Sequence, residues 1–110
     1  MFRLTLNRVY DRIEVKEGDE RLVLVVDEDA RRIVSKIRNA QEKLVQANDG
    51  TDDERANAAR MFSEAMFGEK QTQNLVDFYH GDYSCVITIC GMYFEKRLSK
   101  KILSAQKRIK

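Results

Sequence analysis

The chain contains no proline and only five glycines among its 110 residues. Proline interrupts helices and strands, and glycine raises the entropic cost of ordering either one. A sequence so poor in both residues favours long, uninterrupted elements over a loop-rich fold. Because this length matches one small domain, we expect a single domain with a modest core over residues 1–110.

The N-terminal segment 1–26 alternates apolar with polar side chains, which is the period of a half-buried strand. Phe2, Leu4 and Leu6 follow this period, and Ile13 and Val15 continue it. The segment 17–20 has turn residues, and the β-branched and leucine run 21–26 predicts a further strand. We therefore expect a short antiparallel β-hairpin or a three-stranded meander. Two strands alone are marginally stable in water, so this sheet must pack on helices.

Helical patterns fill the remaining residues, 27–110. Asp27 is a candidate N-cap for the first helix, which the polar segment 48–50 ends. Thr51 and Glu54 have the spacing of a capping box at the start of a second helix. Gly68 is expected to break that helix, and a short third helix follows at about 70–79. The predicted fold class is α+β, with a short N-terminal sheet followed by a mainly helical bundle.

The fourth helix is predicted to be the longest. Asp82 can cap it, and from Tyr83 to Ile109 it would extend about 40 Å at 1.5 Å per residue. We expect this amphipathic rod to carry more apolar surface than one small domain covers, and Gly91 to mark a close helix–helix contact. Its apolar stripe consists of Val86, Ile89, Cys90, Tyr93, Phe94, Leu98, Ile102 and Ala105. The predicted partner-binding residues are Tyr93, Phe94, Arg97 and Lys101.

Basic residues are concentrated at the C-terminus, although the net charge of the whole chain is only +2. From Glu95 onward there are seven lysines and arginines and one acid, so the remainder of the chain is net negative. Such a basic helix end either contacts phosphates or is solvated beside the negative end of the helix dipole. Both interpretations stay open, and we expect protein partners rather than nucleic acid.

Residues that could support chemistry are isolated from one another. His80 lies beside Gly81 at a predicted helix end, where it can meet free carbonyl groups. Cys85 and Cys90 are about 140° apart on a helix, so we expect two reduced thiols rather than a disulfide. The acids near Gly50 lack the spacing of a calcium loop. We therefore expect no enzyme, no catalytic residue, no metal and no cofactor.

Export and membrane insertion are also disfavoured by the sequence. The longest apolar run, 22–26, is far too short to span a bilayer. The first ten residues alternate and have no continuous apolar block of the kind found in signal peptides. With two reduced thiols, this predicts a cytoplasmic protein. The sequence leaves the oligomeric state, including a homo-oligomer, open.

Residues 58–110 contain a series of aromatic, glycine and helix-boundary residues. They are Phe67-Gly68, Phe78-Tyr79, Gly81-Asp82, Val86, Cys90, Tyr93-Phe94, Arg97-Leu98, Lys101-Ile102 and Ala105-Gln106. In these residues the chain resembles small tail assembly chaperones, and similar tail proteins, of tailed phages (siphophages) and prophages of Gram-positive hosts. The strand-then-helices order and the size also suit that group.

The resemblance implies a non-structural assembly factor made in the infected cell. Such a protein binds the long, largely helical tape-measure protein and helps to deliver tail-tube subunits around it. It is often made in two lengths by ribosomal frameshifting, and the group has no catalytic residues. Two alternatives remain open: a structural or connector protein that stays in the virion, and a small nucleic-acid-binding regulator that uses the basic C-terminal helix.

Overall fold

The computed structural model describes residues 7–107. Strands β1 (Arg8–Glu17) and β2 (Glu20–Asp29) form a two-stranded antiparallel hairpin. The helices α1 (Ala30–Ala47), α2 (Asp52–Phe78) and α3 (Tyr83–Tyr93) follow, then a π-helical turn (Phe94–Leu98) and α4 (Ser99–Lys107). The last three elements are continuous and are called the C-terminal rod. The predicted α+β class, with its long C-terminal helix, is confirmed.

The hairpin reverses direction over two residues, Gly18 and Asp19. Glu17 pairs with Glu20 across the turn, and Gly18 has the positive φ (60°) that two-residue hairpin turns require. The predicted turn is therefore confirmed. Phe2, Leu4 and Leu6 lie outside the described residues, within which the sheet has two strands.

Helix α1 begins later than the sequence predicted, because β2 is longer. Arg8 pairs with Asp29 at the end of the ladder, so the β-rich part ends at Asp29 and not at residue 26. The N-cap is Asp29, whose Oδ1 accepts hydrogen bonds from the backbone N–H groups of Arg31 (2.9 Å) and Arg32 (3.3 Å). The predicted cap, Asp27, is wrong. Its Oδ1 instead accepts from Nε of Arg8 at 2.7 Å.

Helix α2 begins with the predicted capping box. The Thr51 hydroxyl accepts from the Glu54 backbone N–H at 3.2 Å, and the Glu54 carboxylate accepts from the Thr51 backbone N–H at 3.5 Å. The predicted break at Gly68 is confirmed, because Gly68 has non-helical backbone angles (φ 80°, ψ 172°) at a kink between the two helical arms of α2. The short third helix is therefore the second arm of α2.

The bend in α2 brings Gln71 against the free edge of β2. Its Oε1 accepts from the Val25 backbone N–H at 2.7 Å, and its Nε2 donates to the carbonyls of Val25 (2.7 Å) and Phe67 (2.8 Å). One side-chain amide thus satisfies the strand edge much as a neighbouring strand would. It also joins the hairpin to the helical layer.

Substitution of Gly68 by alanine should lower the free energy of unfolding by about 2 kcal/mol. No atom would contact the added Cβ, so the effect comes from a backbone conformation that is essentially restricted to glycine. Gly91→Ala is the matched control. Its Cβ also has nothing within 4 Å, which shows that the predicted close contact at Gly91 is wrong. Because Gly91 is helical, alanine should raise stability there by about 0.5–1 kcal/mol.

Urea unfolding followed by far-UV circular dichroism measures both changes. Opposite signs for the two substitutions are expected. Equal stabilisation of both variants would mean that Gly68 adopts ordinary helical geometry and that α2 is straight.

A single core joins the hairpin to the helices. Val9 and Val26 of the hairpin lie in the same buried cluster as Ile33 of α1, Leu75 of α2 and Leu98 of the rod. The described part is flattened, with extents of 53 × 35 × 23 Å. Each helix within residues 7–107 is too short or too polar to span a lipid bilayer.

Candidate functional site

An acidic side chain lies on the core-facing side of the hairpin. Asp11 is only 4% exposed and sits in β1 between Val9 and Ile13, in the row that otherwise faces the core with apolar side chains. A buried carboxylate without partners would be strongly destabilising. The partners of Asp11 come mainly from the C-terminal rod, more than 80 residues later in the sequence.

Three side chains of the rod surround the Asp11 carboxylate. Tyr93 donates its hydroxyl hydrogen to Oδ2 at 2.9 Å, and Arg97 binds both oxygens, Nε to Oδ2 at 2.7 Å and Nη2 to Oδ1 at 2.8 Å. Lys101 Nζ lies 3.8 Å from Oδ1, and the Arg12 backbone N–H donates to the same oxygen at 2.9 Å. Asp11, Tyr93, Arg97 and Lys101 are called the Asp11 cluster.

The π-helical turn keeps the buried side chains of the rod on one side of it along its whole length. Val86, Cys90, Leu98 and Ile102 are buried and are spaced by multiples of four. Residues four apart drift by about 40° around an α-helix, so the row would turn by about 160° from first to last. The π turn accommodates one extra residue and reduces this drift to about 60°. Both halves of the rod can therefore pack on the same side.

The contacts within the cluster shift the pKa values of Asp11, Tyr93 and Arg97. Burial alone would raise the pKa of Asp11, but hydrogen bonds from Arg97 and Tyr93 and the charge of Lys101 outweigh it and hold that pKa below its usual value. Burial and the hydrogen bond to Asp11 raise the pKa of Tyr93. The same carboxylate raises the pKa of Arg97. All three shifts move the pKa away from neutrality and favour a charged Asp11 and Arg97 beside a neutral Tyr93, so the cluster acts as a clamp between hairpin and rod.

The two cysteines are free thiols. Burial raises the pKa of Cys90 to about 12, despite a hydrogen bond with Ser63. A hydrogen bond to Asp82 raises the pKa of Cys85. Because the thiolate is the nucleophilic form, both environments oppose the activation that a catalytic cysteine requires.

The remaining candidates for chemistry have local structural roles. His80 is in the left-handed conformation (φ 55°) at the end of α2. Its backbone N–H donates to the Asp77 carbonyl at 3.0 Å, and the Gly81 N–H donates to the Val76 carbonyl at 2.9 Å. This pair of hydrogen bonds is a Schellman ending. Across residues 7–107, no group of three or more His, Cys, Asp or Glu side chains is placed to hold a metal ion.

The structure divides the four residues predicted to bind a partner. Tyr93, Arg97 and Lys101 face β1 and belong to the Asp11 cluster. Phe94 lines a cleft between α1 and α4 and packs edge-on against Phe62, with ring centroids 6.2 Å apart. Three of the four therefore already contact Asp11 within the same chain. Their binding to another protein stays a prediction.

The predicted excess of apolar surface along the stripe of the rod is wrong for the described residues. The hairpin, α1 and α2 cover most of it, because β1 and α1 pack against α4, Asp11 of β1 binds Arg97 of the π turn, and α2 packs against α3. Six of the eight stripe residues are buried, namely Val86, Cys90, Tyr93, Leu98, Ile102 and Ala105. Ile89 and Phe94 are half-buried.

Exposed apolar surface lies instead beside the stripe, where α1 and α4 leave an open cleft. One part has a volume of about 210 Å³ over the buried side chains of Ile37 and Ile102. A second, more open part of about 380 Å³ continues it along α1 past Arg38 toward Val45, and its described lining residues all belong to α1. This surface is called the α1–α4 groove, and its apolar lining is Val34, Ile37, Phe94, Ile102, Leu103 and Val45.

Basic residues dominate the two segments that border the groove. Ala30–Ala47 contains five basic residues and one acid, Glu42, and 94–107 contains five basic residues and one acid, Glu95. Lys36 is paired with Glu28, and the Asp11 cluster uses Arg97 and Lys101. Arg38 lines the groove. Arg31 lies one helical turn from Val34, and Lys100 lies one turn from Leu103.

The sequence analysis did not predict the Asp11 cluster or the groove-facing row of α1, although the sequence contains a signal for each. Val9, Asp11, Ile13 and Val15 alternate, so Asp11 takes a core-facing position that calls for a cationic partner. In α1, residues 34, 38, 41 and 45 form a second row beside the buried one, and Val34 and Val45 are apolar members of it.

Comparisons with protein-family models, curated proteins and solved structures found no match.

Proposed function

We propose that the chain is a non-catalytic tail assembly chaperone that binds tape-measure and tail-tube proteins in the cytoplasm of the host cell. The observation that carries this proposal is the α1–α4 groove, an apolar cleft left open between two amphipathic helices. Leu103 is 56% and Val45 77% exposed along it. Grooves between helices are a common site for an amphipathic helix from another protein. The resemblance of residues 58–110 supports the identity of the partners.

Reversible binding suits an assembly factor, and the groove favours it. Its apolar lining is short, and the basic side chains beside it are solvent-exposed. Exposed ion pairs contribute at most about 1 kcal/mol each. A complex held by such contacts can dissociate as tail assembly proceeds.

The Asp11 cluster supports this function by holding the rod in place. The bidentate contact of Arg97 with Asp11 fixes the π turn against β1. The adjoining Phe94 and α4 therefore present the groove in a defined position before a partner arrives. Pre-organisation of this kind reduces the entropy lost on binding.

Co-expression with the tape-measure protein and the tail-tube protein tests the proposal. An affinity tag on this chain should retain one or both, and mass spectrometry of purified virions should find the chain absent. Failure to retain either protein would overturn the proposal. Retention together with a stoichiometric amount in mature virions would instead favour the alternative, a structural or connector protein.

A nucleic-acid-binding regulator is the second candidate, and the basic residues of α1 and the rod favour it. Arg31, Arg38 and Lys100 are exposed and form no ion pair within residues 7–107. Phosphate contacts would make binding fall steeply with salt. A gel shift with duplex and single-stranded oligonucleotides decides the matter, since no retardation at about 50 mM salt would eliminate this candidate.

A further inference from the structure

Each helix that borders the α1–α4 groove presents a row of residues spaced for packing on another helix. On α1 the row is 34, 38, 41 and 45, and on α4 it is 99, 103 and 106. Steps of four and three are the spacing of a coiled-coil seam. The core of the monomer uses a different row of α1, which includes Ile33, Ile37 and Ala40. The groove-facing rows therefore have no helix packed between them in the described chain.

The size of the groove limits what it can hold. From Val34 to Val45 the row extends about 16 Å, at 1.5 Å per residue. This length matches about three turns of a helix. The apolar side chains Val34, Val45 and Leu103 lie along this length, so a bound helix needs a narrow apolar stripe rather than a wide one.

The charges beside the groove indicate which charged side chains a bound helix should carry on either side of its apolar stripe. Arg38 lines the groove, and Arg31 and Lys100 lie one turn from its apolar residues. The acids on the same segments are Glu42, which lines the end near Val45, and Glu95. Cations therefore dominate the end that Phe94 and Leu103 line. Carboxylates on a bound segment would be attracted there.

We propose that the α1–α4 groove binds an acidic amphipathic helix of about three turns from a partner protein. This rests on the protein-binding function proposed above and adds the chemistry of the bound segment. A leucine or similar side chain of that helix packs between Phe94 and Leu103, and glutamates or aspartates beside it face Arg38 and Lys100. A phosphate backbone would satisfy the same cations but would leave Leu103 and Val45 without an apolar partner.

A designed peptide provides a direct probe. It is a helix of about 14 residues made of alanine, leucine at steps of four and three, and glutamate on both flanks. A second peptide replaces every glutamate by lysine. Fluorescence anisotropy with the full chain should show binding of the glutamate peptide at least about tenfold tighter than that of the lysine peptide. The difference should shrink as salt is raised, because exposed charges are screened.

Substitutions in the chain locate the binding surface. Leu103→Asp and Arg38→Glu should each weaken binding of the glutamate peptide about tenfold or more. Met92→Asp is the matched control, because Met92 is similarly exposed (47% against 56% for Leu103) and lies outside the groove lining. It should leave binding unchanged. All three side chains are exposed, and unchanged circular dichroism will confirm that the variants fold.

Several outcomes would overturn the inference. These are no binding of the glutamate peptide, equal binding of the lysine peptide, equal effects of Leu103→Asp and Met92→Asp, or displacement of the peptide by an oligonucleotide bound through Arg38. The proposed function fails separately. Equal retention of the tape-measure protein by wild type and by Leu103→Asp would refute only the assignment of binding to the groove. Binding of the peptide without retention of the tape-measure or tail-tube protein would refute only the chaperone function.

Discussion

Replacement of Leu98 by alanine should lower the free energy of unfolding by about 3–4 kcal/mol. Leu98 is fully buried and is the last residue of the π turn, where the rod restores its orientation toward the core. The substitution removes apolar contacts and leaves a cavity that the rigid junction of β1, the π turn and α4 cannot easily fill. The stability of α4 depends on this junction, so the loss should affect the whole rod.

Leu103→Ala provides a matched comparison five residues further along the rod. It makes the same chemical change at a side chain that is 56% exposed, so stability should change by less than about 0.5 kcal/mol. Urea unfolding monitored by circular dichroism measures both variants. Similar losses for the two leucines would contradict the π turn, since a regular α-helix through this region would rotate Leu98 away from the core.

The local elements of the fold were predictable because their determinants lie close together in sequence. The turn at Gly18 requires one residue with positive φ, and the capping box at Thr51 requires a glutamate three residues later. The N-cap of α1 was harder to place. Asp27 and Asp29 are equally good capping residues, and the pairing of β2 with Arg8, about twenty residues earlier, decides between them.

The burial of the rod could not be predicted from its own sequence. The amphipathic stripe shows which side chains prefer the core, but not how much surface other elements provide to cover them. Here β1 and α1 cover the half that contains Leu98 and Ile102. The π turn also escapes prediction, because apolar residues four apart fit an α-helix locally and drift out of line only over several turns.

The candidate site was predicted only in part, for the same reason. The sequence drew attention to Phe94, which lines the groove, and to Tyr93, Arg97 and Lys101, which face β1. The groove exists because α1 lies beside α4. The Asp11 cluster exists because Asp11 contacts Tyr93 and Arg97, which lie 82 and 86 positions later in the sequence. Neither contact follows from helical periodicity. The only local sign of these contacts was Asp11 itself, a charged residue at a core-facing position of a strand.

Substitution of Asp11 by alanine should lower the free energy of unfolding by about 3 kcal/mol. Removal of one partner from a buried ion pair typically costs about 3–5 kcal/mol, and the lower end applies because the Arg97 side chain, 56% exposed, can turn to solvent. Tyr93 is mostly buried, so its hydroxyl would lose its acceptor inside the core. A double-mutant cycle with Tyr93→Phe should therefore show coupling, with the double variant less destabilised than the sum of the two single variants.

The pH dependence of stability tests the same clamp without removing packed atoms. Because the folded state lowers the pKa of Asp11, the carboxylate stabilises the fold above its unfolded pKa of about 4, and this contribution is lost as pH falls through the lower folded value. Glu28, whose pKa is lowered by its hydrogen bond from Lys36, adds a similar loss. The diagnostic quantity is therefore the difference between wild type and Asp11→Asn in urea unfolding from pH 7 down to about pH 2.5. This difference should be largest at neutral pH and should decrease below about pH 4, whereas a constant difference would mean that the Asp11 carboxylate is not clamped in its ionised form.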